Sequence, residues 1–503
     1  MTMPWYWRSL PLEHRTGSDI FAALFCNIYT LEIATLLESP YPTPTDNPQL
    51  ARYSICAGAP RCVNGHLQIW TPPLGEILPF LNQLLKIRGQ EDTETRRHGD
   101  KEKDFLSHSA TLPLSPSSYL PFTGGWLGWL GYDVAWEIEQ LPYTKSDRLP
   151  FPVAFWYEPE CFAVLDHWDQ VLWLAASDEA GLDELEMRLE KGTGDRGQRT
   201  GDRGQGDVIN NCFPSFSSFQ TSQAEYEAAV NRAKKYIQAG DIFQANLSLR
   251  FEAQTNASGW EIYRALQQIN PSPFACYFKT PWGDIISCSP ERLVQSQRCT
   301  DKHFRVSTRP IAGTRSRGIT SKQDQLLAAE LLSNIKERAE HIMLVDLERN
   351  DLGRVCEWGS VSVDELLTIE RYSHVMHLVS NIKGTLRSEL NAVDLIRAMF
   401  PGGTITGCPK VRCMKIIEEL EPVRRSLFYG SCGYLDWQGN LDLNILIRTL
   451  LLAPTPTFNT VWGQVGAGIV ADSDPTREWH ESLHKAQAQL NALAKVLHQK
   501  STF

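Results

Sequence analysis

Two pairs of carboxylates in the C-terminal half of the chain have the spacing of a helical face. Glu337 and Glu340 are three positions apart. Glu478 and Glu481 repeat that spacing, and Lys485 follows four positions later. Side chains three or four positions apart lie on one face of a helix. For either pair alone a solvated polar face is the commoner explanation, but two such faces suggest a divalent-cation site. Mg²⁺ takes one or two carboxylates and leaves its other positions to water and an anionic substrate.

A glycine-containing loop followed by a helical pattern occupies Phe400–Glu421. The apolar residues Val411, Met414 and Ile417 recur on one stripe. Pro409 suits a first helical turn, so we expect the helix to begin there. A flexible loop that leads into a helix N-terminus can bind an anion through its free backbone N–H groups. A phosphate P-loop is excluded because a cysteine occupies the position of the required lysine. On this stretch alone, a structural turn into a core helix is the commoner outcome.

The composition indicates a globular protein and excludes several classes of partner. The chain has 503 residues, of which 42% are hydrophobic, and a formal net charge of −10. Its length predicts more than one domain, and its acidic balance argues against a nucleic-acid partner. The twelve cysteines are scattered without a CxxC pair, which indicates reduced thiols rather than a disulfide scaffold or a zinc site. Because the sequence has no signal peptide and no membrane-length apolar run, we expect a soluble, cytoplasmic protein without a membrane partner.

Low-complexity sequence divides the chain into three regions. Residues 1–190 have the pattern of strands and short helices with many prolines. Lys191–Asp207 contains the pentapeptide GDRGQ twice and is rich in glycine and charge. Such a segment buries too little apolar surface to offset the entropy of ordering it, so we predict a disordered linker over 191–221. Residues 222–503 form the third region.

The third region predicts both helices and strands. Ser222 and Glu225 have the spacing of a capping box, which predicts a helix that Gly240 ends. A second capped helix is expected to begin near Ser321 and to run on into KERAEHIMLVDL. The dipeptide Asp474–Pro475 predicts the N-terminus of the last helix. Strand-like segments between these helices, without regular βαβ alternation, predict an α+β protein with large, mainly antiparallel sheets.

Eight motifs, taken in order, resemble those of chorismate-utilising enzymes. They are most similar to the large subunit, component I, of anthranilate synthase and aminodeoxychorismate synthase. The resemblance covers 222–495 closely and the first 170 residues more loosely. It implies a sandwich of large sheets with helices packed outside. It also makes 1–190 a component I-type N-terminal region and 222–503 the chorismate-binding catalytic region. The motifs are SPE (Ser289–Glu291), RPIAGTRSRG (Arg309–Gly318), KERAEHIMLVDLERNDLGRV (Lys336–Val355), HVMHLVS (His374–Ser380), the Phe400–Glu421 stretch, YGSCGYLD (Tyr429–Asp436), LIRT (Leu446–Thr449) and GAGIVADSDP (Gly466–Pro475).

The resemblance implies a site that binds chorismate and one Mg²⁺. Carried over position by position, Glu340 and Glu481 resemble the metal ligands, with Glu478 beside them. Glu291 resembles the acid near the departing hydroxyl, and His377 resembles the active-site histidine. Cationic side chains and backbone amides are a chemically sensible clamp for the carboxylates of a dianion. The catalytic set is Glu291, His377, Glu337 and Thr406, and the substrate-binding set is Gly313, Thr314, Tyr429, Arg448, Gly466, Gly468 and Lys485.

Two branches of the family divide at Ala312. Aminodeoxychorismate synthases commonly have a lysine in this PIxGT motif, which attacks C2 covalently, whereas anthranilate synthases have alanine. Ser39 and Arg52 resemble the tryptophan feedback site of anthranilate synthase, but NPSPFACY (Asn270–Tyr277) departs from the NPSPYM pattern of that site. The motifs IISCSPE, FPGGTITG and REWHE are more similar to the aminodeoxychorismate branch. We therefore favour formation of 4-amino-4-deoxychorismate for folate synthesis, with anthranilate synthase as the alternative.

The source of ammonia is the last expectation from the sequence. No G-x-C-x-G nucleophile motif occurs in the chain, so the resemblance implies a separate glutamine amidotransferase subunit, component II. Two remoter alternatives are an isochorismate synthase, which adds water in place of ammonia, and a non-catalytic sensor of chorismate or tryptophan. The complete set of catalytic residues speaks against a sensor, because a protein without chemistry has no need of them.

Overall fold

The computed structural model describes residues 5–26, 32–39, 48–87, 120–193, 217–300, 303–372 and 375–500. Helices and strands alternate irregularly along this part of the chain. The helices are α1 (Gly17–Phe21, continued by π-helical Ala22–Cys26), α2 (77–87), α3 (Ala135–Ile138), α4 (Glu179–Thr193), α5 (Gln223–Gln238), α6 (Gly259–Ile269), α7 (Ser321–Ser333), α8 (Ile335–Gly353), α9 (Ala392–Met399), α10 (Lys410–Leu420) and α11 (Pro475–Lys500).

The strands are short near the N-terminus and longer in the C-terminal half. They are β1 (Tyr6–Pro11), β2 (Ala34–Glu38), β3 (Tyr53–Ala57), β4 (Cys62–Val63), β5 (His66–Leu67), β6 (Ile69–Trp70), β7 (Gly125–Leu130), β8 (Ala154–Tyr157), β9 (Cys161–Asp166), β10 (Val171–Ala176), β11 (Ser217–Phe219), β12 (Gln244–Thr255), β13 (Phe274–Thr280), β14 (Gly283–Ser289), β15 (Arg292–Arg298), β16 (Phe304–Thr308), β17 (Ile311–Ser316), β18 (Ser362–Arg371), β19 (Val375–Thr385), β20 (Gly407–Cys408), β21 (Ser431–Asp436), β22 (Leu441–Asn444), β23 (Thr449–Pro454) and β24 (Asn459–Ile469).

Two large antiparallel sheets organise the described residues. The first, sheet I, has 12 strands in the order β1-β10-β9-β3-β2-β13-β14-β23-β24-β12-β11, with β20 paired to β12. The second, sheet II, has 10 strands in the order β17-β19-β16-β15-β22-β21-β7-β8-β6, with β18 paired to β19. The longest ladder joins β12 to β24 and pairs Asn246 with Gly468. It forms one wall of the site described below.

The apolar core confirms a sandwich with helices outside. One buried cluster joins the inner faces of the two sheets, with Phe278 and Ile285 from sheet I and Trp129 and Tyr434 from sheet II. A second cluster packs α1, α4, α5, α6 and α11 on the outer face of sheet I. The α+β class with large antiparallel sheets is therefore confirmed. Within the described ranges, no helix is long and apolar enough to cross a membrane.

The N-terminal and C-terminal regions share both sheets. In sheet I, β2 pairs with β13, and in sheet II, β7 pairs with β21. The linker predicted over 191–221 is shorter at both ends than expected, because α4 continues to Thr193 and Ser217–Phe219 pairs with β12. The rest of that linker, 194–216, lies outside the described residues.

The capping expectations hold at the first helix of the C-terminal region and differ at two others. Ser222 and Glu225 form a complete capping box on α5, and Gly240 follows the helix with a φ of 79°. The second helix was expected to be continuous, but Asn334 divides it into α7 and α8. The Asn334 side chain accepts a hydrogen bond from the Glu337 amide, and such a cap starts a new helix. The Glu337 carboxylate consequently lies in the first turn of α8.

The helix expected from Pro409 begins one residue later, at Lys410. Pro409 is the extended N-cap residue, with φ −69° and ψ 137°. The preceding Gly407–Cys408 pairs with β12, so the chain is still in strand conformation when it reaches the proline. The loop is therefore attached to sheet I before the helix starts.

A half-buried carboxylate of α3 binds the N-terminus of α2. Glu137 accepts hydrogen bonds from the backbone amides of Gly75 at 2.5 Å, Ile77 at 2.9 Å and Leu78 at 3.0 Å. These amides are at the N-terminus of α2, where N–H groups have no partner within the helix and the helix dipole favours an anion. Glu137 therefore supplies a cap from a distant part of the sequence.

Replacing Glu137 with alanine should lower the free energy of unfolding by about 1–2 kcal/mol, because three helix amides lose their acceptor. Urea unfolding followed by circular dichroism measures the change. The matched control is Glu139→Ala, which removes the same charge two positions away and should change stability by less than about 0.5 kcal/mol. Equal losses in the two variants would contradict the capping role.

Candidate active site

Two glycines of β24 allow α8 to approach the wall formed by β12 and β24. A Cβ on Gly468 would lie 2.4 Å from Gln244 Nε2 and 3.2 Å from Glu340 Oε1. A Cβ on Gly466 would lie 2.4 Å from the Leu247 carbonyl oxygen. Any side chain at either position would displace the neighbouring strand or the glutamate. Gly468 thus leaves room for the Glu340 side chain of α8, and Gly466 allows β12 to pack closely against β24.

Glu340 projects from α8 to the edge of this wall. Its Oε1 accepts a hydrogen bond of 2.7 Å from Gln244 Nε2. Burial raises the pKa of Glu340, and the like charge of Glu337 one turn earlier raises it further. An anion held against another anion gains stability from any added cation, so the electrostatics at Glu340 favour binding a positive ion.

Helix α11 supplies the opposite side of the site. Lys485 Nζ lies 2.7 Å from Glu481 and donates a hydrogen bond of 3.0 Å to the Gly466 carbonyl. The Arg448 guanidinium donates to the Lys485 carbonyl at 3.1 Å. Burial alone would raise the pKa of Glu481, but Lys485 reverses the effect and holds it below its ordinary value. Glu478, one turn earlier, is buried, and this burial raises its pKa.

The carboxylates of α8 and α11 face the same two lysines. The charges of Lys336 and Lys485 both act on Glu340, Glu478 and Glu481. The carboxylate oxygens of these three glutamates are the kind of ligand that Mg²⁺ prefers, and Mg²⁺ needs only one or two carboxylates. The residues present therefore fit a magnesium ion. Across the residues that the structure describes, no group of three or more acidic, histidine or cysteine side chains is placed to hold a metal ion, so the protein would supply at most two such ligands.

His377 is buried beside the substrate-binding candidates Thr314 and Arg448. Its Nδ1 lies 2.9 Å from the Thr314 hydroxyl. Burial lowers the pKa of His377 to about 4, and the nearby Arg448 charge lowers it further. The imidazole is therefore neutral at neutral pH. Gly313, with φ +68°, lies so close to α7 and α8 that a Cβ would be 2.8 Å from Leu331 and 2.9 Å from Glu337.

Glu291 is a buried carboxyl in the turn between β14 and β15. Burial raises its pKa to about 8, although Thr404 and the Ile311 amide oppose the shift. Its Oε1 has no hydrogen-bond partner among the described residues. A neutral carboxyl with a free oxygen can donate a proton, so the structure gives Glu291 the properties of a general acid.

Two predicted catalytic residues are already engaged by protein groups. Glu337 accepts a hydrogen bond of 3.3 Å from Arg315. The Thr406 hydroxyl donates to the Gly402 carbonyl at 2.8 Å, and that bond folds the glycine-containing loop onto itself. Thr406 is fully buried. Their contacts indicate that these residues position the loop and α8 around the site.

Tyr429 stands between Arg448 and a buried ion pair. Arg425 lies 4.6 Å from the centre of the Tyr429 ring and binds Glu421 through two hydrogen bonds of 2.7 and 2.9 Å. Burial raises the pKa of Tyr429 well above its usual range, so the phenol remains a hydrogen-bond donor. Its backbone has φ 65°.

The two predicted tryptophan-site residues lie apart from these groups, in the N-terminal region. Ser39 lines a cavity of about 140 Å³ between the two sheets, together with Tyr53 and Arg292. Arg52 instead binds Asp166 at 2.7 Å and Asp169 at 2.9 Å. The structure thus assigns only Ser39 to the cavity wall.

The sequence did not reveal the part that Gln244 and the ion pair of Glu421 and Arg425 have in the candidate site. Gln244, which holds Glu340, is in the segment DIFQANLSLRF, where a glutamine gives no pattern of its own. Glu421 and Arg425 have the four-residue spacing of a helical ion pair, which is a usable signal. Arg425, however, follows the last turn of α10, and its importance comes from burial that the spacing does not reveal.

Comparison with known proteins identifies the class. The family of chorismate binding enzymes matches residues 76–491, and the chain belongs to that family. It is 56% identical over 497 residues to the anthranilate synthase component I-like protein of Synechocystis sp.. This alignment covers 97% of this chain and 92% of the relative. It is 43% identical to aminodeoxychorismate synthase component 1 of Bacillus subtilis, over 82% of this chain and 88% of the relative.

Two further comparisons concern anthranilate synthases. Anthranilate synthase component 1 of Synechocystis sp. is 40% identical and covers 82% of this chain and 85% of the relative. The crystal structure of anthranilate synthase component I from Streptococcus pneumoniae superposes with a TM-score of 0.66 at 32% identity, covering 88% of this chain and 92% of that one. The chain is therefore a chorismate-binding synthase of the component I type.

The raised pKa of Glu291 predicts a specific dependence of stability on pH. Because the folded pKa of about 8 exceeds the ordinary 4.5, the folded state holds the proton more tightly than the unfolded state. This stability is present below pH 4.5 and is lost as the pH rises through 8, by about 1.4 kcal/mol per pH unit. The Glu291→Gln variant never ionises at this position. It should therefore lose less stability than wild type between about pH 5 and about pH 9. Parallel stability curves for the two proteins would contradict a protonated Glu291.

Proposed function

We propose that this protein aminates chorismate as component I of an aminodeoxychorismate synthase. Ammonia would replace the C4 hydroxyl, giving 4-amino-4-deoxychorismate and water. The observation that carries the proposal is a contrast within one organism. The chain is 56% identical to the anthranilate synthase component I-like protein of Synechocystis sp. but only 40% identical to the anthranilate synthase component 1 of the same organism. The aminodeoxychorismate synthase of Bacillus subtilis, at 43%, supports the same branch.

Anthranilate synthase is the second candidate, and Ala312 favours it. Ala312 is buried in β17, one residue before Gly313, and an alanine has no amine to attack C2. Ammonia could then reach C2 itself and give anthranilate, pyruvate and water. The two candidates would share the binding residues and differ in the ring carbon that receives nitrogen and in whether pyruvate is then eliminated.

The substrate carboxylates would be bound by Arg448, Lys485 and the backbone around Gly466. Arg448 donates to the backbone carbonyl of Lys485, and the Lys485 ammonium is held by the Gly466 carbonyl and Glu481, so both cations have protein partners before a ligand arrives. Fixed donors stabilise developing charge without reorganisation during the reaction. Gly468 has no side chain that would displace Gln244 or Glu340.

Proton transfer would be divided between Glu291 and His377. Glu291, neutral up to about pH 8, would give its proton to the departing C4 hydroxyl. His377, held through Nδ1 by Thr314, would present Nε2 to the substrate as a neutral acceptor. A bound Mg²⁺, held by Glu340 and Glu481 with Glu478 close by, would supply electrostatic assistance to hydroxyl departure and orientation of a carboxylate.

The remaining alternatives are weaker. An isochorismate synthase would share the binding residues and add water, so product analysis distinguishes it. A sensor without chemistry would not require Glu291 and His377 with strongly shifted pKa values, since such shifts are typical of reacting groups. The relatives are named component I, which supports a component II amidotransferase as the ammonia source for this chain as well.

The reaction can be tested by incubating the purified protein with chorismate, Mg²⁺ and ammonium salts and identifying the product. We expect 4-amino-4-deoxychorismate as the main product, with anthranilate as a minor one because C2 is unprotected at Ala312. Ala312→Lys should suppress anthranilate and retain the main product, since a neutral lysine would occupy C2. Chromatography against standards measures both. Anthranilate as the sole wild-type product, with inhibition by tryptophan, would establish the second candidate instead.

If a separate amidotransferase supplies the ammonia, the chain alone should use only some nitrogen sources for amination of chorismate. The purified chain should turn over with ammonium salts, faster at raised pH where free ammonia is present, and should not use glutamine. Addition of a purified component II amidotransferase should confer glutamine-dependent turnover. Glutamine use by the chain alone, after rigorous purification, would disprove the need for a partner.

Glu340→Gln and Glu481→Gln should each lower turnover at limiting Mg²⁺ by at least about tenfold, because one anionic ligand is lost. The melting temperature should change little, since no core volume changes. Titration calorimetry with MgCl₂ should show weaker binding in both variants. The control Glu389→Gln, at an exposed surface carboxylate, should behave as wild type. Wild-type turnover and Mg²⁺ affinity in either site variant would refute the metal assignment.

A further inference from the structure

Two cysteines from different sheets meet in the core of the protein. Cys276 belongs to β13 of sheet I and Cys432 to β21 of sheet II. They are 156 positions apart in the sequence, yet their sulfur atoms lie 3.1 Å from each other. Both side chains are almost fully buried. Neither residue belongs to the candidate active site.

An asparagine fixes the position of both strands at this contact. Asn444 Oδ1 accepts a hydrogen bond of 3.0 Å from the Cys432 amide, and the Cys432 thiol lies 3.3 Å from the same oxygen. Asn444 Nδ2 donates to the Phe274 carbonyl on β13 at 3.0 Å. One side chain therefore spans from β21 to β13. The two sulfur atoms are held near each other by this frame and not only by their own contact.

A small cavity gives access to the thiols. Cys276, Cys432 and Asn444 all line the cavity of about 140 Å³ that also contains Ser39. A cavity of this size admits a water-sized molecule, so a small neutral oxidant such as hydrogen peroxide can reach the sulfur atoms. Cys62 and Cys299, in contrast, are exposed on the surface.

We propose that Cys276 and Cys432 form a reversible disulfide that joins the two sheets in the wall of this cavity. A disulfide requires the sulfur atoms to approach to about 2.05 Å, a movement of roughly 1 Å from their present separation. Hydrogen peroxide is the oxidant. One thiolate attacks a peroxide oxygen, forms a sulfenic acid and releases hydroxide, which takes up a proton. The second sulfur displaces hydroxide from the sulfenic sulfur, so both thiols lose their protons and two waters form in all.

The environment predicts a slow reaction that base accelerates. Burial raises the pKa of the Cys432 thiol well above its usual range, and contact with Cys276 raises it further. The thiolate, which is the nucleophile, is therefore scarce at neutral pH. Each unit of added pH should increase the rate of cross-linking about tenfold while the thiol is mostly protonated.

The test uses the full chain with Cys62, Cys212 and Cys299 replaced by serine, which prevents reaction at those positions. The protein is treated with hydrogen peroxide at several pH values, then unfolded with an alkylating agent and digested without reductant. We expect one cross-linked peptide pair containing Cys276 and Cys432, about 2 Da lighter than the two free-thiol peptides together, because two hydrogens are lost. Dithiothreitol should restore the free peptides.

Two variants make the assignment specific. Cys276→Ala should abolish the cross-linked pair, whereas Cys356→Ala, at another buried cysteine, should leave it unchanged. The measurement on the chain that keeps Cys276, Cys356 and Cys432 does not depend on how these two variants fold. Recovery of Cys276 and Cys432 as alkylated free thiols, under peroxide conditions that fully oxidise Cys62 and Cys299 in the unmodified chain, would overturn the proposal. A cross-linked pair confined to molecules that form dimers on a non-reducing gel would overturn it as well.

Discussion

The buried ion pair of Glu421 and Arg425 is the interaction on which the candidate site depends. Glu421 accepts hydrogen bonds from the amide and hydroxyl of Ser248 on β12, at 2.8 and 2.7 Å. Arg425 donates to the carbonyls of Ile405 at 2.7 Å and Asn246 at 2.8 Å. The pair thereby fastens the glycine-containing loop to β12, the strand that begins with the glutamine holding Glu340. Removing one partner of such a pair leaves an uncompensated charge, at a cost of about 3–5 kcal/mol.

The pKa values of the candidate site residues are shifted in opposite directions. Burial keeps Glu291 protonated to about pH 8 and His377 neutral above about pH 4, so a proton donor and a proton acceptor coexist at neutral pH. Lys485 acts in the other direction and keeps Glu481 ionised. Burial of the Glu291 and His377 side chains produces the first effect, and the helix spacing of Glu481 and Lys485 produces the second. The same low-dielectric surroundings thus shift these carboxylic acids and the imidazole away from their ordinary pKa values.

Patterns within one element were predictable from the sequence, and contacts between elements mostly were not. The capping box of Ser222 and Glu225 depends on four consecutive residues, and it was predicted correctly. The break at Asn334 was missed because an asparagine between two helical patterns does not interrupt their periodicity. Ordered motifs were sufficient to identify the candidate site residues, but the bond from Gln244 to Glu340 joins positions 96 apart, and its formation depends on the pairing of β12 with β24.

The cavity containing Ser39 and the candidate active site are connected through a single strand end. Arg292 lines the cavity and is bound to Asp442 by two hydrogen bonds of 2.8 and 2.7 Å, while the preceding residue is the acid Glu291. The Glu291 carbonyl also accepts a hydrogen bond of 3.0 Å from the Ile445 amide, one residue after Asn444 of the cavity wall. Suppose that these strands have two positions and that a ligand in the cavity binds one of them more tightly. The ligand would then shift the equilibrium between the two positions, and with it the position of Glu291, by the difference in binding free energy. The cavity wall and Glu291 are therefore joined directly, because Arg292 and Glu291 are adjacent in the chain.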